Sequence, residues 1–133
     1  MKCKNRRPVE ILKRVTLVAQ EQMEIRYEAA GPDAAIVILS GKLMLGTGTE
    51  RISSLVEELL GQGMKTVVFD LGGVTTLDST GVGQFIASFN RIAAAGGQMR
   101  MAGATGHVLQ TFRVSRLDRM FPFYASAEEA AKA

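Results

Sequence analysis

The residues best placed for chemistry are Asp78-Ser79-Thr80-Gly81. A carboxylate and two hydroxyls stand together where an apolar stretch gives way to helical spacing. Val67, Val68, Phe69 and Leu71 precede them, and Val82, Phe85, Ile86, Phe89 and Ile92 follow on one helical face. That order puts the cluster at a helix N-terminus, where free backbone N–H groups favour negative charge. Asp, Ser and Thr are also ordinary N-capping residues, so local chemistry alone reads the string as a cap. A serine in this setting is equally well placed to carry a phosphate.

The other candidates are weaker. His107 is the only histidine, with no cysteine or second histidine near it in sequence. A metal site or a Ser-His-Asp arrangement needs such partners, so His107 reads as a surface or capping residue. Gly46-Thr47-Gly48-Thr49 resembles a phosphate-binding loop but lacks its lysine and spacing. It reads as a turn feeding a capped helix. Gly81-Val82-Gly83 lacks a third glycine at dinucleotide-motif spacing, and close packing of the helix on a sheet accounts for it. Asp70 and Asp78 have the chemistry of a carboxylate pair, but sequence does not fix their separation. The chain is therefore expected to be no enzyme, with no catalytic residue, no metal and no cofactor.

The elements around the cluster follow from periodicity. Met23, Ile25, Tyr27 and Ala29 alternate with Glu24, Arg26 and Glu28, the pattern of a half-buried strand. After the Gly31-Pro32-Asp33 turn, residues 35–39 return as a more buried strand, so 23–40 reads as a hairpin. Gly41 to Leu45 has room for a further short strand. Thr47 and Glu50 have capping-box spacing, and Ile52, Leu55, Val56, Leu59 and Leu60 form an apolar stripe that Gly61 and Gly63 end. A central strand is expected over 65–71, then a Gly72-Gly73 loop. The helix after Asp78 should run to Gly96-Gly97, with a parallel strand near Gln98–Ala102. A third helix is expected near Thr105, with Val108, Leu109 and Phe112 inward. A short strand at 121–124 and a small helix capped by Ser126 and Glu129 complete the chain.

Composition bounds the rest. A chain of 133 residues with 47% hydrophobic and 22% charged residues fits one globular domain with a real core. No apolar run approaches the roughly 18 residues of a membrane span. Ile11-Leu12 is followed at once by Lys13-Arg14, so no signal-peptide core forms. The single cysteine, Cys3, has no intrachain disulfide partner. The expected compartment is the cytoplasm. Residues 1–22 hold six basic and two acidic groups, whereas the remainder holds ten and eleven. The excess positive charge thus belongs to the leader, and a nearly neutral domain argues against direct nucleic-acid binding.

The strings Val67-Val68-Phe69-Asp70-Leu71, Leu77-Asp78-Ser79-Thr80-Gly81-Val82-Gly83 and Gly96-Gly97-Gln98-Met99 closely resemble the STAS domain. More narrowly, they resemble the anti-sigma factor antagonists of bacteria. The resemblance runs from about Met23 to the C-terminus. It implies an α/β fold, a single STAS-like domain over residues 23–133, with a mixed sheet and about four helices packed against it. Residues 1–22 would be a basic extension. It also implies that Ser79 is phosphorylated by a partner that is both serine kinase and anti-sigma factor. The unphosphorylated protein would bind that factor and so free a sigma factor for transcription. Phosphorylation would end the binding, and a serine phosphatase would restore it. The implied partner-binding residues are Asp78, Ser79, Thr80, Gly81 and Val82. No membrane insertion is implied.

One stretch departs from the family pattern. Many members carry Gly-[Glu/Asp]-Leu-Asp before the first long helix, where this chain has Gly41-Lys42-Leu43-Met44. Both carboxylates are absent, which leaves the identity of the kinase open. The alternative within the family is a scaffold subunit of a stress-signalling or lipid-trafficking complex, not switched at Ser79.

Overall fold

The computed structural model describes residues 23–133. The basic stretch 1–22, with the leader reading attached to it, lies outside the described residues. The chain folds as a five-stranded mixed sheet with strands in sequential order. Strands Met23–Ala29 (β1) and Ala34–Leu43 (β2) pair antiparallel, from Met23 opposite Gly41 to Ala29 opposite Ala35. Gly31 turns the hairpin at φ +136°, a backbone conformation that side chains disfavour. Strands Thr66–Leu77 (β3), Gln98–Ala102 (β4) and Phe123–Tyr124 (β5) then add in parallel. Helices Glu50–Gly61 (α1), Ser79–Ala94 (α2) and Gly106–Val114 (α3) connect them, and Ala127–Lys132 (α4) closes the chain.

The two faces of the sheet are unequally covered. Inward residues of the central strands, such as Val37, Leu39, Val67, Phe69, Leu71 and Met101, share one core with α1, α2 and α3. The opposite face carries a smaller cluster of Ile36, Val68, Ala102 and Ala130, covered by α4. In the main core the Phe69 and Phe85 rings meet edge to face at 5.2 Å, and Phe85 leads on to Phe112 at 5.7 Å. These contacts lock α2 and α3 onto β3, each pair worth about 0.5–1.5 kcal/mol beyond its buried area.

Four local expectations are corrected. Gly41–Leu43 are the end of β2, not a separate strand. The Gly72-Gly73 segment is not a loop either, because β3 continues through it to Leu77. Ten residues of β2 face twelve of β3, and two register shifts absorb the excess as bulges. There Asp70 Oδ1 accepts the Gly72 N–H at 3.0 Å, and a Cβ on Gly73 would stand 2.8 Å from that of Ser40. Thr47 does not cap α1. The N-cap is Thr49, with no side-chain cap bond, while Thr47 Oγ1 donates to Met44 O at 2.8 Å and accepts from Met44 N–H at 3.1 Å. Finally, the alternation in β1 buries only its start: Met23 is buried and Ile25 half-buried, but Tyr27 and Ala29 are exposed. β1 is an edge strand, paired on one side only, and its outer end is left open to solvent.

Candidate functional site

The site forms where β3 ends and α2 begins. Leu77 is buried, Ser79 is exposed, and Asp78 between them adopts an extended backbone (φ −112°, ψ −173°) as the N-cap of α2. Its Oδ1 accepts the Gly81 N–H at 3.0 Å, the bond a capping carboxylate makes with the third helical residue. Its Oδ2 reaches sideways and accepts the Leu45 N–H at 3.1 Å. One carboxylate therefore ties together the first turn of α2 and the loop that follows β2. The backbone repeats the link, since Asp78 N–H donates to Leu43 O at 3.2 Å.

Electrostatics follow from that geometry. Partial burial acts to raise the pKa of Asp78. The N–H groups of Leu45, Gly81, Thr80 and Asp78 itself act the other way and win, holding it below the usual 3.8. The carboxylate stays ionised at neutral pH, on the residue next to Ser79.

The expected residues divide by orientation. Ser79 is exposed, Thr80 and Val82 are half-buried, and Gly83 is exposed. Gly81 faces the other way, into the fold. A Cβ there would lie 2.4 Å from Leu43 O and 2.6 Å from Leu77 Cδ1. Glycine at position 81 thus lets α2 press on the end of β2, as the packing reading expected. Gly83 is different, because a Cβ there would meet nothing within 4 Å. Close packing does not explain that second glycine.

The stretch that departs from the family pattern lies against this site. Lys42 pairs with Thr76 and Leu43 with Leu77, which delivers Met44 and Leu45 next to Asp78. Leu45 is 79% exposed, and sequence reasoning gave it no role. Its one signal was a leucine between Met44 and a glycine-rich turn, with no periodic apolar partner. That turn needs glycine for its backbone: Gly46 and Gly48 have φ of +89° and +90°. No phosphate-loop role is required to explain them.

The remaining candidates do not join the site. Asp70 is spent on the bulge and lies eight residues before Asp78, roughly 20 Å or more along the strand. His107 is exposed in the first turn of α3. Among the described residues, no group of three His, Cys, Asp or Glu side chains gathers as a metal site. No described helix is long and apolar enough to cross a membrane.

Comparisons with known proteins agree on the fold. The STAS domain family model matches residues 26–130. The crystal structure of an anti-sigma factor antagonist from Mycobacterium paratuberculosis superposes with a TM-score of 0.74 at 18% identity, covering 86% of this chain and 95% of that one. The anti-sigma factor antagonist SpoIIAA in its unphosphorylated form gives 0.64 at 19% identity, covering 82% and 96%. Its phosphorylated form, described as a Bacillus cell fate determinant, gives 0.66 at 20% identity, covering 82% and 97%.

Proposed function

This chain belongs to the STAS domain family, and from that premise we propose that it is a non-catalytic anti-sigma factor antagonist switched by phosphorylation of Ser79. In the unphosphorylated state it binds an anti-sigma factor that is also a serine kinase. Phosphorylation releases that partner, and a serine phosphatase resets the cycle in the cytoplasm. The observation that carries this reading is the contrast within four residues. Asp78 and Gly81 are committed to the fold, whereas the Ser79 side chain between them is exposed at the start of α2. A relative of the same fold is known in unphosphorylated and phosphorylated forms.

The switch needs little movement. A phosphate adds about −1.5 to −2 charges and accepts hydrogen bonds well at a helix N-terminus. The domain therefore tolerates it. A partner surface fitted to a neutral hydroxyl does not, since it must desolvate a dianion beside the ionised Asp78. Each ~1.4 kcal/mol of that cost is tenfold in affinity. Thr80 and Val82 flank Ser79, and Gly83 leaves open room for a partner along the helix.

Incubation of the full chain with a kinase-type anti-sigma factor and ATP, read by intact mass, tests the proposal. One phosphate is expected, and none on the Ser79→Ala variant. Equal phosphorylation of that variant would move the site elsewhere. The scaffold reading is favoured by a different observation: Lys42 and Met44 stand at the positions where the family pattern has carboxylates, and the exposed Leu45 that follows them is bonded to Asp78. Stable co-purification with a partner lacking a kinase fold, together with no phosphate on Ser79, would establish the scaffold instead.

A further inference from the structure

A second surface lies far from Ser79. After α3 the chain turns through a 3-10 segment, Leu117–Arg119, and the stretch carries Arg113, Arg116 and Arg119. All three are exposed. Among the described residues, none of their guanidinium groups has a hydrogen bond or ion pair. Of the other described arginines, Arg51 donates to Met23 O at 2.8 Å, Arg91 pairs with Glu57 and Arg100 donates to Ala130 O at 2.9 Å, and only Arg26, alone on β1, is likewise unengaged. Two exposed apolar side chains accompany them, Val114 beside Arg113 at 71% and Met120 beside Arg119 at 40%, and one exposed carboxylate, Asp118, stands between Arg116 and Arg119. Consecutive three-residue turns keep them together, as Arg116 N–H donates to Arg113 O and Arg119 N–H to Arg116 O.

Arg116 supplies an independent sign. Its backbone is left-handed (φ 62°, ψ 22°), and it is the sole non-glycine residue with positive φ among the described residues. Ending α3 explains that conformation, because a left-handed residue commonly stops a helix. It does not explain arginine, since glycine takes the position with less strain. Strain kept at an exposed cation points to a use for the cation.

We infer that this surface is a docking site for an acidic protein segment carrying an aliphatic residue. The described domain has eleven acidic and ten basic groups, so three arginines against the single carboxylate of Asp118 within seven residues are a local excess of positive charge. Arginine forks match carboxylates two bonds at a time. Val114 and Met120 offer aliphatic contact beside those pairs. Two small aliphatic side chains without an exposed aromatic neighbour suit one apolar anchor, not insertion into a bilayer. The surface is separate from the switch. Phe121, next to Met120, meets Phe89 at 5.7 Å, and Phe89 lies ten residues beyond Ser79, about 15 Å along α2.

The test is fluorescence anisotropy with a labelled peptide of repeating Glu-Leu-Asp units, titrated with the full chain at low ionic strength. The Arg113→Glu/Arg116→Glu/Arg119→Glu variant is expected to bind at least about tenfold more weakly. Val114→Ser/Met120→Ser should weaken binding by a smaller factor, and Ser79→Asp should leave it unchanged. Arg116→Gly relieves the backbone strain, so its loss of affinity cannot come from misfolding. Equal affinity for the full chain and the triple variant would overturn the inference, because the cations of residues 1–22 would then hold the peptide. Arginine-dependent binding to phosphatidylserine vesicles with no binding to the peptide would also overturn it, and would assign the surface to a membrane.

Discussion

Asp78 holds two structures with one carboxylate, and its loss should be felt in both. Asp78→Asn removes the charge from the bonds to Gly81 and Leu45 N–H. A cap of this kind is worth about 1 kcal/mol. The pH dependence has a definite sign. Partial burial opposes ionisation, but the backbone N–H groups outweigh it and leave the native pKa below 3.8. The native state then binds this proton more weakly than the unfolded chain, so the contribution is full above the unfolded pKa. It fades as pH falls through about 4 and is gone below the lowered native value. Denaturant melts at several pH values should show wild type ahead of Asp78→Asn at pH 7, with the gap closing toward pH 3. A gap that does not change with pH would mean that the carboxylate charge is not what holds the loop. At this scale the capping role of Asp78 was legible from Asp-Ser-Thr before an amphipathic run. Its second bond, to Leu45, was not, because nothing in local sequence reports a contact across 33 residues.

At the scale of elements, the first turn of α2 sets two glycines against each other. Gly81 is pressed on Leu43 O and Leu77, so Gly81→Ala should destabilise by about 1–3 kcal/mol. Gly83 has open space and helical backbone, so Gly83→Ala should stabilise by up to about 1 kcal/mol. Thermal melts of the two variants check the pair, and a stabilising Gly81→Ala would refute the packing described here. If Gly83 serves the partner, its alanine variant should also bind more weakly while melting higher. Elements with strong periodicity were readable: the β1–β2 hairpin, α1, α2 and β4 all stand where spacing expected them. The misses have separate causes. Gly72-Gly73 looks like a loop in sequence, yet neighbouring β2 holds it as bulged strand. Thr47 and Glu50 have the spacing of a capping box, yet the Thr47 hydroxyl is engaged by Met44. Tyr27 has the right alternation, but it lies exposed on the edge strand. A neighbouring strand decided the first case and exposure at the sheet edge the last, whereas Thr47 was settled by a competing bond three residues away.

Across the whole molecule, the sheet holds α1, α2 and α3 on one face and presents the start of α2 at the end of β3. The proposed phosphoswitch would therefore be a change of surface charge on this support, with no refolding required. The central claim is that a dianion at Ser79 abolishes partner binding while the fold stays intact. Isothermal titration of a kinase-type anti-sigma factor with the unphosphorylated and Ser79-phosphorylated protein tests it most directly, with circular dichroism melts of both forms alongside. A Kd raised by about a hundredfold or more, equivalent to roughly 2.7 kcal/mol, is expected for the phosphorylated form, with melting hardly changed. Equal affinity of the two forms for that partner would contradict it.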